Sequence, residues 1–395
     1  MPRALLFAFL AVAMSAALSG CGNPGLEAYA DGRYQDSMTY FEEQAAKKDK
    51  NFAQHSCNLG SVAVAVGEYD KAWQSLYDAS CVMNDYEAGN LRGLASLIGS
   101  QATRVFKGEN YEKAMANCYL GIIDYIKGDY EKARIGFDRA LECKQDAPEK
   151  YRTDFALAHY LKGRALQRLE GSNPNDVQMA FRLAKEWAPQ NRFLNLEKNA
   201  KANLILVVDL GYAPRKVPSG LWGSVAEFEA VPYADRVAIV LVDGQNCGHT
   251  ARILDFEHQA LTVGDSPTDT VQTAKSILKT VALIGSFFIR DTWGRIIVFV
   301  VALVYPVEAD CRQWDLLPGE TQIIALRVNE GDHNVEVRFP VTGSPPQVRR
   351  VTVGDGDRLL YFRCGIIGPP TNRDEPKHEK GVNFAAVHEQ PGDKK

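Results

Sequence analysis

The chain has no surplus of basic charge. Its 395 residues carry 45 Lys and Arg against 49 Asp and Glu, a formal net charge of −4, so it offers no positive field for nucleic acid. It lacks the short motifs of common catalytic machinery: no Gly-rich loop that cradles a phosphate, no Gly-x-Ser-x-Gly elbow, no His-Glu-x-x-His pair. No apolar run reaches the ~20 residues of a spanning helix. Cys247, His249, Asp255 and His258 are spaced like no structural zinc site. They read as polar residues bordering strands, and the sequence asks for no metal or cofactor. Arg215 and Lys216 either meet an anionic group or end a strand in solvent.

What is present is a repeat. Asn117 to Lys144 spells a helical hairpin: Leu120-Gly121 on a first helix, Gly128-Asp129-Tyr130 at the turn, then Ala133, Phe137 and Ala140 at helical spacing. The same frame occurs upstream as Leu59-Gly60, Gly67-Glu68-Tyr69, Ala72, Leu76 and Ala79. In both copies the crossing Gly precedes the Ala by 12 residues, which lets two helix backbones approach closely. A shorter copy runs from Leu26 to Lys48 around Gly32-Arg33-Tyr34. A fourth covers Thr153 to Pro189, with Gly163 at the crossing and a longer loop at 171–175. Residues 87–106 are helical in pattern but lack the Gly-x-Tyr turn. The unit resembles the tetratricopeptide repeat, a helix–turn–helix of about 34 residues. Such an array argues for a scaffold rather than a reaction.

The N-terminus reads as an address. One positive charge, an apolar run from Ala4 to Leu18 and then Leu18-Ser19-Gly20-Cys21 form a signal peptide. Its end resembles the bacterial lipobox, in which Cys21 is acylated and becomes the mature N-terminus; residues 1–20 are then removed. Gly22 rather than Asp favours, by resemblance to sorted lipoproteins, the outer membrane, with the body in the periplasm. Disulfides form in that compartment. Cys57 and Cys81 flank one hairpin turn, and Cys118 and Cys143 flank the next. Residues equidistant from a turn face each other in an antiparallel pair, so the spacing predicts bridges Cys57–Cys81 and Cys118–Cys143. The alternative is that these thiols pack between helices.

The texture changes near residue 200. Leu204 to Val208 and Val237 to Val242 are buried strand runs. After Gln322 the pattern alternates around turns at Glu330-Gly331-Asp332 and Gly354-Asp355-Gly356-Asp357, as in an antiparallel meander. The fold class expected is α+β and multidomain: a tetratricopeptide-like array over 21–200, then a small antiparallel β-sandwich-like domain over 201–365. An apolar helical hairpin is inserted at about 271–306, interrupted by Arg290, Asp291 and Arg295. It packs on protein, or else touches lipid or another subunit. Residues 366–395 are polar and Pro-containing and read as a disordered tail.

Three further stretches carry a likeness. These are Tyr111-Glu112-Lys113, Gly211 to Lys216, and Ala309-Asp310-Cys311-Arg312-Gln313-Trp314 with Leu317-Pro318. The chain resembles a family of bacterial tetratricopeptide-repeat-containing lipoproteins that has no assigned reaction. The family usually has Ala-Asp-Thr-Arg-Ser-Trp at the third stretch; Cys311 and Gln313 replace its hydroxyls here. Asp310, Arg312 and Trp314 are expected to form a structural clasp, a buried ion pair under a Trp that joins insert to β domain, in preference to a ligand site. The function expected is a non-enzymatic envelope scaffold whose repeat groove holds a protein or extended peptide, with homo-oligomers open. The alternatives are a lipid-contacting component of a transport or assembly complex, or an envelope hydrolase.

Overall fold

The computed structural model describes residues 23–84, 105–145, 147–195, 201–219, 225–261, 310–354 and 356–364. Cys21 and its lipobox, residues 87–104, the insert at 271–306 and the tail at 366–395 lie outside the described residues.

The first half is a row of helical hairpins: α1 (Pro24–Ala30) with α2 (Tyr34–Ala46), α3 (Phe52–Val66) with α4 (Tyr69–Met83), α5 (Asn110–Ile126) with α6 (Tyr130–Glu142), and α7 (Ala156–Arg168) with α8 (Pro174–Trp187). Each start has a local cause. Asn23 accepts hydrogen bonds from the first free N–H groups of α1, and Asn173 caps α8 just before a Pro at its first position. Glu109 and Glu112 form a capping box on α5. Gly67 and Gly128 sit at φ +88° and +80° in the turns, where a side chain would be strained.

The crossing glycines do what their spacing predicts. A Cβ on Gly121 would lie 2.6 Å from the Phe137 ring and 2.9 Å from the Ala133 carbonyl oxygen. Gly136, facing it, has the Gly121 Cα only 2.7 Å from where its own Cβ would be. The first helices α3, α5 and α7 are buried almost all round; α4, α6 and α8 bury one stripe and leave the rest to solvent. Ion pairs tie neighbouring hairpins together: Lys71–Glu42 at 3.1 Å, Lys127–Asp70 at 2.6 Å and Lys162–Asp138 at 2.6 Å. Among the described residues no helix is long and apolar enough to cross a membrane.

The second half is strand. One four-stranded sheet has the order β10-β1-β7-β6, built from β1 (Leu204–Leu210), β6 (Ala251–Asp255), β7 (Glu320–Leu326) and β10 (Arg358–Arg363). The other has the order β5-β4-β8-β9, from β4 (Ile239–Val242), β5 (Gln245–His249), β8 (Gly331–Arg338) and β9 (Gln347–Val353). A separate hairpin joins β2 (Arg215–Ser219) to β3 (Val225–Glu229), and a short helix α9 (Phe256–Leu261) follows β6. Helices and both sheets share one hydrophobic core.

The expected meander is corrected. β7 and β8 do not pair; they belong to different sheets, and β10 returns to lie parallel to β1, Leu204 opposite Arg358 and Val208 opposite Phe362. The alternation of Ile324, Leu326 and Val328 looks like a half-exposed strand. Yet β7 is buried from Glu320 to Ala325, because Glu320, Thr321 and Gln322 are covered and hydrogen-bonded rather than solvated. A strand covered on both faces sits inside a sheet, between β1 and β6.

The disulfide expectation is corrected as well. Cys57, Cys81 and Cys118 are free thiols, so neither Cys57–Cys81 nor Cys118–Cys143 forms. The Asn117 amide, not Cys118, meets the Cys143 sulfur, at 3.6 Å. Cys118 instead lies within electrostatic reach of Asp209 on β1, and Cys57 within reach of Glu112. One residue along a helix turns the side chain by about 100°, enough to send each thiol into the core. Burial there pushes the Cys57 and Cys118 thiols well above their usual range.

Candidate functional site

The inner face of the array, where α3, α5 and α7 line up, is covered by the chain itself. Residues 310–317 run across α3 and α5 as a strap that turns at Asp315-Leu316, where the Leu317 N–H donates to the Trp314 carbonyl at 3.1 Å. Asn51, Gln54, Asn58 and Ser61 fall at spacings of three and four along α3 and its first turn, so they share one face. All four bind the strap. The Asn51 side-chain oxygen accepts from Arg312 Nη1 at 3.0 Å. Gln54 Nε2 donates to the Gln313 carbonyl at 2.8 Å and to Asp315 Oδ2 at 3.1 Å. Asn58 donates to Asp315 Oδ2 at 2.9 Å and accepts from the Leu316 N–H at 3.0 Å. Ser61 Oγ accepts from Trp314 Nε1 at 2.9 Å. From α5, Glu112 Oε1 accepts the Trp314 N–H at 2.6 Å, and the Tyr119 ring stands edge-on to the indole.

The clasp is therefore corrected in place and partner. Asp310 and Arg312 do pair, Oδ2 to Nη2 at 2.5 Å, but at 43% and 21% side-chain exposure they form a rim rather than a buried pair. Trp314, 1% exposed, inserts into the array, so the segment fastens array to sheet. Lys216 meets an anionic group, but one of the chain itself, while Arg215 stays exposed at the start of β2. The Lys216 side chain is 8% exposed and pairs with Glu109 beside Glu112. Burial pushes the Glu112 carboxyl up to about 7, against the pull of Lys216 and of the N–H groups of Trp314 and Glu109.

Two more buried acids lie along the same seam. Asp209 of β1 accepts from Tyr119 Oη at 2.5 Å, Tyr361 Oη at 2.6 Å and Thr321 Oγ1 at 2.5 Å. Burial raises this carboxyl above the usual range although Arg363 lies near. Asp357, just before β10, accepts from Tyr125 Oη at 2.9 Å and from Arg164 Nη2 at 2.5 Å, and pairs with Arg168. A third junction holds α9 to the array. Lys144 Nζ donates to Gln259 Oε1 at 2.7 Å and lies 3.2 Å from Asp154 Oδ1; His258 Nε2 lies 3.4 Å from Asp154 Oδ2. Burial works to raise the Asp154 carboxyl, but His258 and Lys144 outweigh it and hold it below its ordinary value.

The loose set Cys247, His249, Asp255 and His258 goes to separate partners. His249 faces Arg192, Asp255 caps α9 and pairs with Arg252, and His258 faces Asp154. Among the described residues no group of three or more His, Cys, Asp or Glu is placed to hold a metal ion. The missed residues are Asn51, Gln54, Asn58 and Ser61, together with Asp209 and Asp357. A signal for the first four exists in the sequence: a polar stripe at spacings of three and four on a helix whose other residues, His55 and Ser56 apart, are not polar. No family model matches this chain, and no curated protein matches it.

Proposed function

We propose that the chain is a periplasmic lipoprotein, anchored at the outer membrane through acylated Cys21. Its tetratricopeptide-like array serves as a non-enzymatic scaffold in cell-envelope assembly or maintenance. The observation that carries this reading is the division of the array into two faces. The first helices are used up inside the molecule by the strap and the sheet. Among the described residues, the second helices α2, α4, α6 and α8 keep one face exposed and form a row held in register by ion pairs between hairpins. A partner is therefore met on the second-helix row, not in the groove that the sequence suggests. Ile135 on α6 and Met179 on α8 are the large apolar side chains exposed there, at 37% and 46%.

The test is site-specific photo-crosslinking of the full-length protein in its own envelope, with the reactive group at Ile135 or Met179 and, as control, at Val348 on β9. Discrete adducts from the helix row that disappear on adding Met179→Glu, with none from Val348, support the scaffold. Adducts of equal pattern from all three positions, or none from any, count against it. The anchor is tested separately: Cys21→Ala should abolish incorporation of labelled fatty acid, and equal label in both forms refutes acylation at that residue.

A further inference from the structure

Beside the α9 junction, and apart from the helix row, lies a half-open cavity of about 320 Å³ between the end of α8 and the edge strand β6. That volume is at the small end of the range for small-molecule sites, ~300–1,000 Å³. Trp187, Pro189 and Ile253 supply apolar lining, and Arg252, Asp255 and His258 polar lining.

The walls are set in advance. Trp187 Nε1 donates to Thr153 Oγ1 at 3.0 Å, which fixes the indole. The His258 ring stands 6.2 Å from that indole and 5.8 Å from Tyr151. Asn191 Nδ2 donates to the Ala251 and Arg252 carbonyls, both at 3.0 Å, and so ties the α8 end to β6 across the back.

Charge decides what fits. Asp154, behind His258, is already balanced by buried Lys144. Arg252 and Asp255 already pair at 2.6 Å. Glu320 Oε2 lies 3.8 Å from the same Arg252 nitrogen, so that positive charge already faces two carboxylates. A charged ligand meets no unbalanced opposite charge among these groups, and a neutral ligand needs none. The half-exposed Arg252 guanidinium has five N–H donors and uses few of them on Asp255, and a carboxylate carries more lone pairs than that pair and the α9 cap consume. An indole beside a cluster of donors and acceptors matches a ligand with a C–H face and a hydroxyl rim.

We propose that this cavity binds one pyranose ring of a neutral oligosaccharide, stacked on Trp187 and hydrogen-bonded by Arg252 and Asp255. The test is calorimetric titration of the full-length mature protein with triacetylchitotriose and with maltotriose. Saturable binding of either sugar is expected, weakened about tenfold or more, that is ~1.4 kcal/mol, in both Trp187→Ala and Arg252→Ala. Arg252 is 57% exposed on its side chain, so its variant leaves the fold intact and keeps the test sound where Trp187→Ala unfolds. No saturation by either sugar at millimolar concentration overturns the proposal. So does binding that Arg252→Ala leaves unchanged, and so does displacement of the sugar by adenosine, which would mark the site as one for a flat base.

Discussion

The seam between array and sheet is fastened in two chemically different ways. Along α3 the strap is held mostly by amides, a hydroxyl and an indole N–H; every group there except Arg312, Asp315 and Glu112 is neutral. At the far end, Asp357 is held by two guanidiniums and a phenol. The first arrangement spreads its cost over many modest bonds, each worth about 1 kcal/mol net. The second concentrates it on one carboxylate whose loss strands a cation that is itself buried. Position was chosen by the strap, and tightness by the corner. A strap that runs along a helix can be indexed by side chains at every turn, whereas one charged corner can only pin a point.

The largest effect should come from the corner. Asp357→Asn keeps the shape but leaves Arg164, 3% exposed on its side chain, without its counter-charge. A loss of ~3–5 kcal/mol is expected, read as a fall in the urea midpoint. A loss below that of any single strap residue erases the contrast between the two seams.

Next comes pH, through two buried groups that act in opposite senses. Glu112 titrates at about 7 when folded against an ordinary 4.5. A raised carboxyl favours the protonated fold, so its contribution is full below about 4.5 and is lost as pH climbs through about 7, a change of about 3 kcal/mol. His159 is pushed by burial and by Lys162 from 6.5 down to about 4. Its contribution is full above 6.5 and is lost as pH falls toward 4, by a similar amount. The two slopes oppose each other between about pH 4.5 and 6.5 and largely cancel. Glu112→Gln should uncover the His159 slope, so that stability rises with pH over that window and the variant gains on the parent between pH 5 and pH 8. Parallel pH profiles for parent and variant contradict this.

How much of this was legible follows from how local each feature is. Gly60, Gly121 and Gly163 announce the hairpins because a helix crossing needs a small residue at one fixed distance from its turn. The buried runs of β1 and β4 are equally plain. The pairing of β1 with β10 brings together residues more than 150 positions apart, and nothing near either strand encodes it. Cys118 was placed on the correct helix but one residue from the face that meets Cys143, an error that helical spacing cannot resolve. Ser61 and Asn58 looked like unremarkable polar residues on α3 because their partners lie more than 250 positions away.

Within the array, the close approaches rank by what gives way. Gly121→Ala drives a Cβ against a backbone carbonyl and should cost about 2–3 kcal/mol. Gly163→Ala meets only the Phe181 ring, at 3.0 Å. Part of that is offset by the ~1 kcal/mol better helix propensity of Ala, so near-neutral stability is expected. Equal losses at the two sites dispose of the idea that the third hairpin is the tighter one.

A single hydrogen bond sharpens the strap side. Ser61→Ala removes the acceptor of the Trp314 indole N–H, which has 1% exposure around it and no water to turn to. An unpaired buried donor costs ~1–3 kcal/mol. The methyl of Ala fits where Cβ already sits, so little is lost in packing and a cost of about 1–2 kcal/mol is expected. Trp314→Phe removes the same hydrogen bond from the other side, together with some ring area. If the bond fastens the strap, the two losses overlap, and the double variant is less destabilised than their sum by about 1 kcal/mol, the sign of direct coupling in a double-mutant cycle. Strict additivity would mean that the indole is held by packing alone. The strap would then be fastened like the apolar core beside it, with Asn58 and Gln54 supplying its register.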